Sequence, residues 1–378
     1  MIIFLFLSVV WVIVGSSIYL WFIAMLFSMV SGKFLYSGEA KYTPRFIFQI
    51  TTKECLETVK RGVDSIISSC DRVGFTNYEI WVVTENPCPP AFTDSRVRVM
   101  AVPGEFVCSA RYKARNLEFA KRRRIAEGYQ GWIYFMDEEN WISEQTIRAI
   151  TNFAERGNAR LASGPLLFGN GGSRFVWLGD SLRTSQGRLC HLGHACGWWP
   201  LYGENLLMHS EVEKVIGWEF NGLTEDIIFT AHAGQKGYRT GWHGGGLHST
   251  SPTSLADFIR QRRRWFRGML QFVFDKNVKV KYRALELYLL LCGLLGILFF
   301  AGTAAGLLYH LTTSAVLWYY LFPALLALSA AYFIGCGGNL KDKLTAVSLC
   351  WVFVGLEGVA AWQSLLNPPH GFDIVKKT

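Results

Sequence analysis

Charge is what this sequence has least of. Only 18% of its 378 residues are Asp, Glu, Lys or Arg, against about 25% in an ordinary soluble domain. The deficit is local. Residues 2–31 and 287–340 carry no charged side chain, and 343–375 hold only Lys343, Glu357 and Asp373. That distribution excludes a soluble protein, a disordered one, and a multipass carrier with no sizeable extramembrane part. The nine cysteines form no C-x-x-C pair and no disulfide-framework spacing, so they are read as mostly free thiols of a reducing compartment. There is no internal repeat, no P-loop and no G-x-S-x-G. His191, His194, His243 and His248 lack the spacing of a zinc-binding helix. They are read as hydrogen-bonding loop residues, with His243 or His248 able to complete a metal shell.

The apolar runs predict four membrane spans: a retained anchor at 2–30, then 285–309, 315–337 and 344–366. Lys33, Lys41, Lys276, Lys279, Lys281, Arg283, Lys341 and Lys343 fall on one side if residues 31–283 are cytosolic. Parity then leaves Lys376 and Lys377 on the opposite side, against the same rule. The net charge of +9 is concentrated at Arg111–Arg124 and Arg260–Arg283. Beside membrane spans, such clusters point to anionic lipid or phosphate-bearing substrates rather than nucleic acid. The chain thus divides into an anchor (1–30), a cytosolic domain (31–253), an amphipathic helix at the interface (254–283) and a C-terminal membrane domain with its tail (284–378).

Within the cytosolic domain, strand and helix patterns alternate. Arg45–Thr51, Tyr78–Thr84, Val97–Val102 and Gly131–Asp137 are short β-rich runs. Glu54–Ser69, Ser109–Glu127 and Ser143–Arg156 have helical character. The alternation predicts a mostly parallel sheet covered on both faces, with ligands bound at the carboxyl ends of its strands. From 160 to 250 the chain is rich in Gly, Trp and His with weak periodicity, which predicts loops over a site.

Asp137-Glu138-Glu139 ends an apolar strand, where alternation points Asp137 and Glu139 to one side. Two such carboxylates suit Mg²⁺ or Mn²⁺, although a solvated acidic turn has the same sequence. Glu85 follows another strand end, where a nucleotide base or ribose could lie; alone it is an ordinary surface acid. Lys113 and Arg115 in KARNLEFA sit near a helix N-terminus, a place suited to anions or simply to solvent. Thr224-Glu225-Asp226 opens a further helix; its carboxylate could serve as a general base or only as an acidic cap. Arg260–Arg267 (RQRRRWFR) lies in an amphipathic pattern, with Gln261 and Trp265 four apart on one face. Trp198 and Trp199 could stack a sugar or cover the sheet. Glu357, the one acid inside the last apolar run, must face protein or a wet cavity. It is expected to be a neutral, hydrogen-bonded residue, or to border an acceptor's path.

Taken in order, VVTEN, KARNLEFA, MDEEN, TED and QRRRW resemble the inverting glycosyltransferases of family 2, in the membrane-integrated branch with cellulose and hyaluronan synthases. The layout, with KARNLE, DEE, the TED helix and a GFDIVKKT ending, is similar to that of β-1,4-mannosyltransferases. The resemblance implies an α/β GT-A (Rossmann-like) nucleotide-sugar-binding domain beside an α-helical transmembrane domain. It places Thr51, Glu85, Lys113, Arg115, Asp137, Gln261 and Arg264 at the nucleotide sugar. It places Asp137 and Glu139 at Mn²⁺ or Mg²⁺, and Asp226 as the catalytic base. Trp265, Glu225 and Trp198 fall at the acceptor. The chain departs from the family's V-D-D-x-S, with Val-Thr-Glu-Asn, and from D-x-D, with a final Glu; base and metal preference are thereby left open. The implied reaction moves mannose from GDP-mannose to a lipid-linked or glycolipid acceptor. The alternatives are a processive synthase using a UDP-sugar, and a non-catalytic scaffold that binds phosphates or anionic lipid.

Overall fold

The computed structural model describes residues 13–17, 19–20, 23–24, 26–27, 44–54, 57–86, 92–156, 159–310 and 316–369. Much of the expected first span, the tail after 369, and Cys55 and Cys88 lie outside the described residues. The chain forms two units, Ser31–Leu167 with Cys190–Thr250, and Met1–Val30 with Phe168–Leu189 and Ser251–Thr378.

The first unit is built on a seven-stranded sheet. Its strands are β1 (Phe46–Thr52), β2 (Tyr78–Thr84), β3 (Val97–Ala101), β4 (Trp132–Asp137), β5 (Leu161–Ser163), β7 (Leu206–His209) and β8 (Gly241–Trp242), in the order β3-β2-β1-β4-β7-β5-β8. Two further short strands, β6 (Leu166–Gly169) and β9 (Leu247–Thr250), are not part of it. All seven residues of β1 are buried, as expected of a central parallel strand covered on both faces. The helices of this unit are α1 (Glu57–Val73), α2 (Lys113–Ala126), α3 (Glu144–Arg156), α5 (Ser210–Ile216) and α6 (Glu225–Gln235). Ile47, Trp81, Val83, Ile133 and Phe135 pack against Leu117 and Ala120 of α2, Val212 of α5 and Phe229 of α6. On the other face α1 closes onto β1 at Gly62, where a Cβ would meet Ile50 Cδ1 at 3.2 Å and Asn140 O at 2.9 Å.

Register brings three strand ends level. Thr51 lies opposite both Val83 and Asp137, and Thr52 opposite Thr84. The chain leaves β1 toward β2 and β3 on one side, and β4 lies on the other, so the strand order reverses between β1 and β4. Such a reversal opens a crevice at the carboxyl ends of the strands. The sheet is mixed, because β7 runs antiparallel to β4 and β5. Its first residue, Leu206, therefore pairs with Phe135, near the end of β4. The turn that precedes β7 is delivered to the same rim as Asp137.

Part of 160–250 is not the run of loops expected. Arg174–Ala195 is a helix of 22 residues, α4, whose first 16 residues belong to the second unit. Its weak periodicity has a packing cause: glycines stand where neighbours approach closely. A Cβ on Gly179 would lie 3.1 Å from Phe353, and one on Gly193 would collide with Trp199.

The second unit holds α7 (Leu255–Val273), α8 (Val280–His310), α9 (Val316–Gly335) and α10 (Leu340–Leu366). Leu178, Leu328, Tyr332, Cys350 and Phe353 form its apolar core. Ser254 caps α7 by accepting from Asp257 N, and Asn339 with Asp342 forms a capping box on α10. Helices α8, α9 and α10 cover the three apolar runs beyond residue 284. Among the described residues, α10 is the helix long and apolar enough to cross a membrane. Only 33% of its most apolar window is buried, unlike the core helix of a soluble domain. Glu357 within α10 is not the neutral residue expected, for it forms ion pairs with Arg183 and Arg262. Two arginines hold its charge.

One ion pair ties the first unit's helices to its sheet. Arg124 and Glu213, both about 1% exposed, meet through two hydrogen bonds, with Nε to Oε2 at 2.9 Å, and Trp218 Nε1 donates to Glu213 Oε1 at 2.9 Å. The Arg124 guanidinium also lies 5.3 Å from the Trp81 ring centroid on β2. Removing one partner of such a pair strands a buried charge. Glu213→Ala should therefore lower stability by about 3–5 kcal/mol, read as a fall in the denaturant midpoint of the purified full chain. An unchanged midpoint would mean that the pair does not hold α2 and α5 to the sheet.

Candidate active site

Asp137 ends β4 on the face covered by α2, so its carboxylate points toward the first turn of that helix. There Lys113 donates from Nζ to Asp137 Oδ1. The same ammonium donates to Gly203 O at 3.3 Å and pairs with Glu225 Oε1 at 3.8 Å. Lys113 is the first residue of α2, preceded by Tyr112 at φ 55°, and its side chain is only 15% exposed. The start of α2 thus presents a fixed cation to the crevice, at a helix end whose dipole also favours anions.

A turn absent from the expected site completes it. Gly203, Glu204 and Asn205 run directly into β7. Asn205 sits at φ 58°, a left-handed position that Asn tolerates better than most residues. Its Nδ2 donates to Pro165 O at 2.9 Å and Gly245 O at 3.0 Å, and its Oδ1 accepts from Tyr134 Oη at 2.6 Å. Locked this way, the turn places one oxygen each of Glu204, Asp137 and Glu139 within 4.8 Å of one another. Asn140 links the group, since its Oδ1 accepts from Asp137 N at 2.6 Å and its Nδ2 donates to Glu204 Oε2 at 2.9 Å. Glu138, the middle acid of the motif, turns away and accepts from Thr52 Oγ1 at 2.5 Å. Three converging hard oxygen donors repel one another unless a cation lies between them. The donor set fits Mg²⁺ or Mn²⁺ and does not suit a soft metal.

Gly203 also binds the acids at the start of α6. Its N–H donates to Asp226 Oδ2 at 2.7 Å, and Asp226 Oδ1 accepts from Ile227 N at 2.9 Å. A Cβ at Gly203 would lie 3.2 Å from Lys113 Nζ, 3.4 Å from Asp226 Oδ2 and 3.4 Å from Glu225 Oε1. Glycine therefore permits this close approach. Burial pushes the Glu225 carboxyl up to about 7, with Lys113 opposing the shift and Asp226 adding to it. Burial raises Asp226 as well, against Lys113 and the two N–H donors. For Lys113 burial works the other way, but Asp137, Glu225 and Asp226 outweigh it and its pKa is raised.

The structure therefore brings Lys113, Asp137, Glu139, Glu225 and Asp226 together. Thr51 is buried at the neighbouring end of β1 and accepts from Gln49 Nε2 at 3.2 Å. Glu85 stands half-buried just past β2, whose last residue, Thr84, donates to Lys53 O at 3.2 Å. Trp198 is half-buried and donates to Thr230 O on α6 at 3.3 Å. Arg115 is not brought to the carboxylates. It donates to Pro103 O at 2.7 Å and Phe106 O at 3.2 Å, holding the loop before α2. Gln261, Arg264 and Trp265 lie on α7 of the second unit. Glu204 is the site residue that motif reading missed. Its one signal is an Asn in a Gly-Glu-Asn turn before an apolar run.

Known proteins resemble this chain in sequence and fold. Over 280 residues the chain is 28% identical to the beta-1,4-mannosyltransferases bre-3 of Caenorhabditis elegans and Caenorhabditis briggsae, covering 69% of this chain and 60% of each relative. It is 27% identical to the beta-1,4-mannosyltransferase egh of Drosophila melanogaster, over 67% of this chain and 58% of that one. The chain thus spans about 60% of the length of these relatives. Its fold is similar to that of a mannosyltransferase from Pyrobaculum calidifontis solved with GDP-Man and Mn²⁺, with a TM-score of 0.53 and 16% identity over 94% of this chain and 98% of that one. The family model for glycosyl transferase family group 2 matches residues 132–334, from the first residue of β4 into the last turn of α9. More than half of the sequence, including Asp137, Glu139, Glu204 and Asp226, falls inside that match, and the chain belongs to glycosyl transferase family group 2.

Proposed function

We propose that the protein is a metal-dependent inverting mannosyltransferase. It takes mannose from GDP-mannose and passes it to a lipid-linked or glycolipid acceptor at the cytosolic face of a membrane that its apolar helices cross. The observation that carries this reading is the convergence of Lys113, the three-carboxylate cluster and the Glu225–Asp226 pair at one rim of the sheet. The mannose-specific relatives and the fold shared with a GDP-Man-bound enzyme support the choice of donor.

Asp137, Glu139 and Glu204 would hold Mn²⁺ or Mg²⁺, whose charge stabilises the leaving diphosphate. Lys113, at the start of α2, adds a fixed cation beside the same phosphates. Thr51 and Glu85, at the ends of β1 and β2, line the nucleoside side of the crevice. Asp226 is held by the Gly203 and Ile227 N–H groups with its carboxylate at the rim. It accepts the proton of the acceptor hydroxyl as that oxygen attacks the anomeric carbon from the face opposite the diphosphate. One C–O bond forms, the other breaks, and the configuration inverts. Glu225, beside the base, lines the acceptor side together with Trp198. Arg264, Gln261 and Trp265 of α7 serve the diphosphate and the acceptor.

Asp226→Asn keeps the shape and removes the basic oxygen. It should lower turnover by about 10²–10⁴-fold while sparing GDP binding; near-normal turnover would assign the base elsewhere. Glu204→Gln should weaken Mn²⁺-supported GDP binding measured by calorimetry, because a neutral amide is a poorer ligand for a hard cation. An unchanged metal requirement would make this acid structural. A polymer built from a UDP-sugar by the purified protein would replace the whole reading with the processive alternative.

The pair Glu225–Asp226 also sets a pH dependence. Both carboxyls are raised by burial, so the free enzyme keeps protons that exposed carboxyls lose near pH ~4. The base works only when deprotonated. The acid limb of kcat/KM should therefore lie above the range of exposed carboxyls, with activity rising as pH rises through the titration of the pair. Lys113 lowers both pKa values, so Lys113→Met should move the limb to still higher pH. A limb that stays in place would remove Lys113 from the electrostatics of the base. The stability contribution has the opposite slope: these raised groups favour the fold at low pH, and that contribution is lost as pH rises through their folded pKa values.

A further inference from the structure

The second unit contains a largely buried cluster of four charges that the transfer reaction does not use. Arg262, fully buried on α7, donates from Nη2 to Asp180 on α4 and from Nε to Glu357 Oε1 on α10 at 2.9 Å. Glu357 in turn holds Arg183 of α4, with Nη2 at 3.0 Å from Oε1 and 2.9 Å from Oε2. Two acids face two arginines, so the cluster is neutral as a whole. Beyond these pairs, Arg183 Nη1 donates to Gln186 Oε1 on its own helix at 3.0 Å, and both arginines reach the QRRRW segment. Arg262 Nη1 donates to Gln261 Oε1. The guanidinium carbon of Arg262 lies 4.3 Å from the Trp265 ring centroid, and that of Arg183 lies 5.1 Å from it. Arg262 also lies 4.3 Å from the Phe258 ring, one turn earlier on α7. Trp265 itself is only half-buried.

Stability alone is a weak reason for such a cluster. Two fully buried and two mostly buried charges carry a desolvation penalty that well-packed apolar side chains would avoid. What the charges add is direction. A planar guanidinium stacked on an indole and anchored at two separate nitrogens cannot rotate without losing a bond. We infer that Asp180, Arg183, Arg262 and Glu357 form a positioning clamp that fixes the Trp265 indole and the Gln261 amide, with Glu357 as the link from the last apolar helix. Glu357 thus acts on the acceptor side of the reaction through Trp265 rather than by touching the acceptor. The inference rests on the proposed role of Trp265 at the acceptor.

The test uses the full chain in detergent micelles, labelled with 5-fluorotryptophan. The fluorine resonance missing from Trp265→Phe identifies Trp265. In Glu357→Gln and in Arg262→Lys that resonance should shift or broaden while the other lines stay in place. Mannose transfer is followed on octyl β-hexosides alongside release of GDP to water. In Glu357→Gln, which leaves both partners of the Arg262–Gln261 hydrogen bond in place, acceptor KM should rise about tenfold to a hundredfold, by more than any change in GDP affinity. In a Trp265→Ala background Glu357→Gln should add almost nothing, because both changes remove the same contact. Arg183 is 19% exposed at its side chain, and Arg183→Gln provides a milder disruption should Glu357→Gln fail to fold. A Trp265 line that does not move in a folded clamp variant overturns the clamp. So does an unaltered acceptor KM in Glu357→Gln when Trp265→Ala raises it. If Trp265→Ala leaves acceptor KM unchanged while the fluorine line still responds to Glu357→Gln, the acceptor role of Trp265 fails and the clamp alone stands.

Discussion

Everything at the active rim depends on one ammonium. Asp137, Glu139, Glu204, Glu225 and Asp226 would not converge in a partly buried crevice without positive charge among them. Lys113 supplies it, pairing with Asp137 and Glu225 from the first turn of α2. The arrangement explains why a lysine starts that helix, where the dipole by itself would favour an acid. It also leaves the three-carboxylate cluster with more negative charge than Lys113 can balance. That deficit is what the proposed divalent ion, and with it the proposed nucleotide-sugar diphosphate, would balance.

The fold sets up this meeting through strand direction. Parallel strands β1, β2 and β4 end at one level, placing Thr51, Glu85 and Asp137 along one rim. The single reversed strand β7 begins where β4 ends, so the turn before it lands against the same carboxylates. Gly203 then serves both sides. Its carbonyl accepts from Lys113 and its N–H holds Asp226. Lys113 and Asp226 are thereby linked through a residue with no side chain.

Much of this rim is legible in the sequence, and for a physical reason. Buried parallel strands are written as unbroken β-rich runs, so Tyr78–Thr84 keeps its expected bounds and β1 and β4 shift by a single residue. The acids that follow those runs are then placed by alternation alone. Glu204 is not legible, because its position depends on the direction of β7 and on the left-handed Asn205, neither of which local pattern encodes. Helix α4 is hidden by glycines whose purpose is close packing, as Gly179 against Phe353 shows. For Arg115 the motif suggests a place near the nucleotide, and its guanidinium is held by local backbone carbonyls that no motif encodes. Glu357 stands out as an oddity in an apolar run, but its two arginine partners come from α4 and α7, far away in sequence.

On the proposed reading, these carboxylates and Lys113 form the donor-diphosphate site. The most direct measurement is the position of manganese, located by its anomalous scattering, in crystals of the full chain grown with GDP and Mn²⁺. The expected result is an ion bonded to Asp137, Glu139 and Glu204 at roughly 2 Å, bridging to the diphosphate with Lys113 alongside. GDP bound with manganese at any other carboxylates, or with no manganese at this cluster, would contradict it.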